Sequence, residues 1–204
     1  MSFFERNRQQ LIDRGIDPAR LPPGQYYTDR YPVLHVGDVP DISRDDFRLR
    51  VFGEVERPTT FTFADIEALG AIQETVDIHC VTKWTKLDMQ WKGVRFADVV
   101  NACGVLPTAR FVLEHAAYGY TTNVPLADCM RDDVLIAWEH DGVPLEAEHG
   151  GPVRMVIPHL YFWKSAKWLE GIELRAADQP GFWEQNGYHM YGDPFREQRF
   201  SGDS

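Results

Sequence analysis

Cys80, in the run Ile78-His79-Cys80-Val81-Thr82-Lys83-Trp84, is the residue best placed to do chemistry in this chain. It ends a strand-like stretch, Glu74 to His79, and leads into a basic, aromatic segment with Lys83, Trp84 and Lys86. Nearby positive charge favours the ionised thiol, so the setting points to a thiolate. A thiolate is either a nucleophile or a soft metal ligand. A second candidate is Arg154, which follows Gly150-Gly151 in the run from Glu148 to Pro158. Two glycines let a backbone approach a ligand closely. A buried charge in a β-rich run needs an anionic partner, although a solvated strand face or an internal ion pair reads the same way. The third region is Tyr161-Phe162-Trp163-Lys164-Ser165-Ala166-Lys167-Trp168. Ammonium, hydroxyl and backbone N–H groups together suit a phosphate; an exposed basic turn over packed aromatics has the same composition. A ligand with a soft metal at one end and a phosphate at the other would use all three regions.

The elements that position these residues can be read from pattern. Residues 3–14 suit a short polar helix. Pro18, Pro22, Pro23, Pro32 and Pro40 then make an irregular arm, so residues 1–46 are expected to wrap the domain or line a site. Phe47 to Gly53 alternates apolar and basic residues, as a half-buried strand does. Thr62 to Gly70 has a capping residue, an acidic first turn and a terminal Gly, and predicts a short helix. Val94 to Cys103, ended by Gly104, predicts a second. Strands are expected over Phe111 to Ala116, Tyr118 to Val124, Val134 to Glu139, Pro152 to Ile157 and Trp168 to Leu174. Asp141-Gly142 signals a hairpin turn. Strands and short helices intermix without a βαβ rhythm, which predicts an α+β fold with mixed sheets in a single domain. The catalytic core is expected over residues 47–176. The tail, 177–204, carries Trp183, Tyr188 and Tyr191 and is expected to wrap the core.

Composition bounds the function. A net charge of −10 argues against nucleic acid or an anionic membrane as a partner, while leaving room for a local basic pocket. Cys80, Cys103 and Cys129 form no CxxC pair, which argues against structural zinc or a disulfide framework. The N-terminus lacks an apolar signal region and no stretch reaches membrane-span length, so a cytoplasmic location is expected. There is no GxGxxG or P-loop sequence.

From Phe47 to Leu174 the chain resembles the oxidoreductase molybdopterin-binding domain of the sulfite oxidase family. His79-Cys80-Val81-Thr82-Lys83-Trp84 is similar to the family's cysteine motif, with His79 where an Arg often stands. Gly151-Pro152-Val153-Arg154-Met155-Val156-Ile157-Pro158 resembles its G-x-P-V-R run, and Lys167-Trp168-Leu169 its K-W-L. Asp133 to Ala137 and Gly142-Val143-Pro144-Leu145 resemble two further segments in the same order. The resemblance implies a molybdopterin cofactor with molybdenum on the Cys80 thiolate. It implies that His149 and Arg154 contact the pterin and its phosphate, that Ser165, Ala166 and Lys167 hold the phosphate end, and that His35 contacts the cofactor from the arm. Cys80, with His79 and Lys83 reshaping the anion pocket beside it, makes up the catalytic set. The activity implied is oxygen-atom transfer to or from a small anionic or S-/N-oxide substrate. With no haem domain in the chain, electrons would pass through an external redox protein or a flavin or quinone system. The active-site tyrosine is left open among Tyr118, Tyr120 and Tyr161.

The remaining candidates have plainer readings. Cys103 and Cys129 suit buried structural thiols. His115 and His140 suit packing roles, and Glu114, inside a strand, is a candidate proton-relay group. Two other classes of function stay open on the residues alone. One is a cysteine-nucleophile enzyme, against which His79 is poorly placed as a base, because adjacent strand residues face opposite ways. The other is a non-catalytic binding module.

Overall fold

The computed structural model describes residues 3–204. Eleven strands build two sheets among these residues. The first sheet contains β1 (Tyr26–Tyr27), β4 (Ile72–His79), β5 (Trp84–Arg95), β8 (Leu135–His140), β9 (Val143–Pro144) and β10 (Arg154–Val156). The second contains β2 (Arg48–Gly53), β3 (Thr59–Thr62), β6 (Phe111–Ala116), β7 (Tyr120–Pro125) and β11 (Leu169–Arg175). Its strand order is β3-β2-β11-β6-β7, with β2 and β11 parallel and the other neighbours antiparallel. In the first sheet β5 carries β4 and β8 antiparallel and β1 parallel. Five short helices attach: α1 (Phe3–Asp13), α2 (Phe63–Ala68), α3 (Phe96–Cys103), α4 (Leu126–Cys129) and α5 (Phe182–Gln185). This is a mixed-sheet α+β fold in one domain, as the unrhythmic pattern of strands and short helices implies. No helix of the described residues is long and apolar enough to cross a membrane.

Local chemistry sets most boundaries. Thr62 caps α2 by accepting from the Asp65 N–H (3.2 Å) while the Asp65 carboxylate accepts from the Thr62 N–H (2.8 Å), a reciprocal box that satisfies two orphan donors. Gly104 ends α3 at φ +75°. Asp141 and Gly142 both have positive φ, the turn that matches the twist of a two-residue hairpin between β8 and β9. Two boundaries differ from expectation: Tyr118, at φ +60°, lies in a turn, so β7 starts only at Tyr120, and the helix expected from Val94 starts later. Val94 lies in β5, paired with Ile136, so α3 begins only at Phe96; ladder pairing outweighs the helix-like apolar spacing. The strand β5 itself is hidden in sequence because Asp88, at φ +54°, interrupts its alternation.

The period of two in β8 and β10 divides the interior. Ile136, Trp138 and Met155 face the core between the sheets, with Leu49, Val51, Phe96, Val112 and Ile172. Leu135, Ala137 and Val156 face the other way, into a cluster with Cys80, Trp84, Met89 and Trp91. Arg154 shares the parity of Val156 and so points to the Cys80 side. The register between β5 and β8 shifts at Lys92/Gly93. A Cβ on Gly93 would sit inside contact distance of the Ile136 carbonyl and the Ala137 backbone. Gly93→Ala is therefore expected to cost about 1–3 kcal/mol, read as a lower urea midpoint with an unchanged slope.

Candidate active site

Cys80 lies in the four-residue connection between β4 and β5. Its N–H donates to the Trp84 carbonyl (2.9 Å), and its carbonyl accepts from the Lys83 N–H (2.9 Å) and the buried Gln25 amide (3.1 Å). Lys83 at φ +77° closes the turn. This fixes Sγ on the wall of a cavity of about 580 Å³, which Tyr31, His35, Trp84, Arg154 and Lys167 also line. The Thr82 hydroxyl lies 3.1 Å from Sγ.

Contrary to the expectation from neighbouring charges, the Cys80 thiol is pushed up. Burial dominates, and Thr82, Lys167 and Arg199 only partly offset it. The basic neighbours in sequence do not reach it. His79 faces away, with Nδ1 3.0 Å from the Thr85 hydroxyl and its ring against Phe195, and burial lowers it to about 4. Lys83 is exposed and does not line the cavity. Lys86 pairs with Asp141 at 4.0 Å. Of the three residues read as catalytic, only Cys80 meets the cavity.

Arg154 is 1% exposed, and its guanidinium makes four hydrogen bonds. Its guanidinium donates to the carbonyls of Met155 (3.2 Å), His149 (2.7 Å) and Ser165 (3.0 Å) and to the Tyr31 hydroxyl (3.0 Å). It also lies 4.1 Å from the Phe162 ring centre. Tyr31 in turn stacks on His149 at 3.8 Å and 8°. One buried cation thus ties the arm to β10 and to the segment that follows it. The glycines before Arg154 approach their own chain: a Cβ on Gly151 would meet the Leu145 carbonyl, and one on Gly150 the Lys167 side chain at 3.0 Å.

The Ser165-Ala166-Lys167 segment divides its work. The Ser165 hydroxyl accepts from the Ile157 N–H (2.8 Å), and the Ala166 N–H donates to Glu114 (2.9 Å). Lys167 donates to the carbonyls of Leu34 (2.8 Å) and Glu148 (2.7 Å), keeping one N–H over. Burial and Arg154 lower it to about 7. His35 lines the same side, with Nδ1 2.9 Å from the Gly37 carbonyl.

Residues of the tail and of the segment 161–168 complete the site. Tyr188 lines the cavity, its hydroxyl pushed up by burial and then by Cys80. Of the tyrosines considered from sequence, Tyr118 is exposed at the cavity, Tyr120 donates to the Trp163 carbonyl (2.7 Å), and Tyr161 is bound to Arg199 outside it. Lys164 is fully buried, 2.7 Å from Glu184, and donates to Asn123 and Met190. That contact fixes α5 and the tail beside the cavity.

Glu114 is fully buried in β6, facing the Ala166 N–H, Lys164, Glu184 and Arg154, and burial raises it from 4.5 to about 8. The folded protein therefore keeps a proton that the unfolded chain releases. This contribution to stability is complete below pH 4.5 and is lost as pH rises to about 8, by about 1.4 kcal/mol per pH unit within that window. Glu114→Gln keeps the acceptor for Ala166 and removes the slope. The stability difference between wild type and variant, from urea curves at a series of pH values, should fall steadily across the window. A constant difference would show that Glu114 is not held protonated.

The residues present fit a molybdopterin. Trp84, which lines the cavity, has a buried indole N–H without a partner. His149 does not line the cavity but lies behind Tyr31, with Nδ1 unpartnered and the ring lowered to about 4 by burial and the nearby cations. Lys167 supplies a cation, and Cys80 a soft donor. A bound metal deprotonates a coordinating thiol outright, so the raised thiol is no obstacle to ligation, whereas it weakens a free nucleophile.

Comparison with known proteins agrees with this geometry. Over 204 residues the chain is 49% identical to an uncharacterized oxidoreductase, YuiH, of Bacillus subtilis (strain 168), covering 98% of this chain and 100% of that protein. It is 28% identical over 200 residues to the mitochondrial sulfite oxidase of Drosophila melanogaster, covering 84% of this chain but only 35% of that longer protein. The sulfane dehydrogenase SoxCD of Paracoccus pantotrophus shares the fold, with a TM-score of 0.64 at 23% identity over 73% of this chain and 42% of that one. The family model described as the oxidoreductase molybdopterin binding domain matches residues 36–183, a span that holds Cys80, His149, Arg154 and Lys167. The chain therefore belongs to the oxidoreductase molybdopterin binding domain family.

Proposed function

We propose that this chain is a molybdenum-dependent oxidoreductase that moves an oxygen atom to or from a small substrate, with Cys80 as the protein ligand to the metal. The observation that carries this reading is a single thiol fixed on the wall of a cavity of about 580 Å³ that is also lined by Trp84, with its unpartnered indole N–H, and by Lys167, with a spare N–H. When bound, molybdenum supplies the two-electron redox change that such a transfer requires.

The chain's own residues would position that chemistry. Cys80 is held by its backbone turn, so Sγ needs no reorganisation to ligate. Trp84 and His149 would bond the pterin edges, and Lys167, with the Ser165 hydroxyl, would meet the phosphate. Arg154, whose donors are mostly engaged, would act by holding Tyr31, His149 and Ser165 in place. His79 and Lys83 have no role in this arrangement. Electrons would come from or go to an external redox protein, flavin or quinone system.

A cysteine-nucleophile reading is weaker because the thiol is pushed up and its neighbour His79 faces away from it. Metal and pterin analysis of protein purified from a cofactor-competent host tests the proposal. One molybdenum and one pterin per chain are expected; their absence would sink it.

A further inference from the structure

We propose that the substrate side of this cavity takes a neutral molecule carrying a flat aromatic or apolar group, and not a free inorganic oxyanion. The inference rests on the oxygen-transfer reading above and names its substrate class.

The cavity has two unlike sides. On the arm side stand His35 and Lys167, the groups assigned to the cofactor. On the tail side stand Trp163, Phe182, Trp183 and Tyr188, with Tyr118 and Tyr120 completing the wall. Cys80 and this aromatic wall line the same cavity, so a molecule held against the rings lies in the space that the thiol faces.

The aromatic wall is built rather than incidental. The Trp163 indole donates to Glu184 (2.8 Å), and its ring lies where a Cβ on Gly192 would meet it at 2.9 Å. Tyr188 meets Trp163 edge-on at 5.1 Å and 81°, and stacks on Trp183 at 4.8 Å and 22°. Phe182 closes against Trp183 at 5.1 Å and 83°. Rings locked in this way offer contact area with little entropy left to lose on binding.

An oxyanion finds little to pair with here. Its desolvation needs a free cation with convergent donors. Arg154 is engaged by four acceptors. Lys164 is neutralised by Glu184 at 2.7 Å with neither side chain exposed. Arg199 is bound to the Tyr161 hydroxyl and the Pro23 carbonyl. Lys83 lies off the cavity and Lys86 is paired with Asp141. Lys167, the cation that remains, is on the cofactor side.

The substrates that satisfy both conditions are neutral sulfoxides or N-oxides bearing an aryl or bulky apolar group. In the reducing direction the S–O or N–O bond breaks. Two electrons enter from an external flavin- or quinone-linked donor together with two protons, and the products are the sulfide or amine and water.

The test uses the purified holoenzyme with reduced viologen as donor. Methyl phenyl sulfoxide is expected to exceed dimethyl sulfoxide by about tenfold or more in kcat/KM. Sulfite, assayed with ferricyanide as acceptor, should fall well below both. Trp183→Ala should raise KM for the aryl sulfoxide by about tenfold with kcat little changed, and leave dimethyl sulfoxide almost unaffected. Diphenyl sulfone, which is not turned over, should quench the wall tryptophans saturably in the wild-type protein and compete with the aryl substrate. Sulfite turnover equal to or above that of the aryl sulfoxide, an unchanged aryl preference in a folded Trp183→Ala, or no saturable sulfone binding each overturns the inference. Absence of molybdenum would instead defeat the oxygen-transfer reading, and sulfone binding would still decide whether the slot exists.

Discussion

Cys80→Ser is expected to lower oxygen-transfer activity by well over about 100-fold, because even partners one bond removed from a metal ligand cost 10- to 100-fold when lost. The oxygen that replaces sulfur is a harder, less electron-rich donor, so the spectrum of bound molybdenum should change as well. The fold should not. The Sγ hydrogen bond is to the Thr82 hydroxyl at 3.1 Å, which serine can replace, and the turn around Cys80 is held by backbone bonds to Trp84 and Lys83 that serine keeps. Thermal unfolding close to wild type, a molybdenum spectrum without the thiolate contribution and collapsed activity form the expected set. Retained activity with an unaltered spectrum would remove Cys80 from the metal.

The largest stability effect should come from Lys164. Its ammonium lies within 2.9 Å of the Asn123 carbonyl, the Asn123 side-chain oxygen, the Met190 carbonyl and Glu184, and neither member of the ion pair is exposed. Lys164→Met leaves a buried carboxylate without its counter-charge, a change worth about 3–5 kcal/mol. Adding Glu184→Gln removes that stranded charge while keeping an acceptor for the Trp163 indole and the Thr122 hydroxyl. The double variant should therefore be more stable than Lys164→Met alone. Urea unfolding of the four proteins of this cycle decides it: additive losses would show that the two side chains are not energetically coupled. Because the pair anchors α5, Lys164→Met should also loosen Trp183, which is readable as a shift in tryptophan emission.

Much of the framework was legible in the sequence, for identifiable reasons. The Thr62 cap, the Gly104 stop and the Asp141-Gly142 turn are local devices whose chemistry is complete within a few residues. Cys80, Arg154 and Lys167 were found because their types are unusual in their settings, and the structure brings all three to one cavity. What could not be read depends on long-range packing. The Arg154–Tyr31 bond joins residues 123 positions apart, and nothing in the arm's Tyr-Pro-Val run announces it. His79 and Lys83 look like neighbours of the thiol, yet strand alternation turns one away and a positive-φ turn projects the other outward. Burial, invisible in a list of charges, reverses the expected direction for Cys80. Lys164 resembled half of an exposed basic pair until Glu184, twenty residues on, was seen to cover it.

Strand β8 carries a consequence for how this protein can change. Its side chains alternate between two interiors: Ile136 and Trp138 belong to the space between the sheets, Leu135 and Ala137 to the Cys80 side. The strand is a party wall, and neither neighbour can be remodelled without leaning on the other. A slip of one residue would exchange the two sets entirely, and the bulge at Gly93 is where the pairing with β5 is pinned. Substitutions that tune the chemistry are therefore better tolerated in the tail and the arm, which border the cavity from one side only, than in this partition.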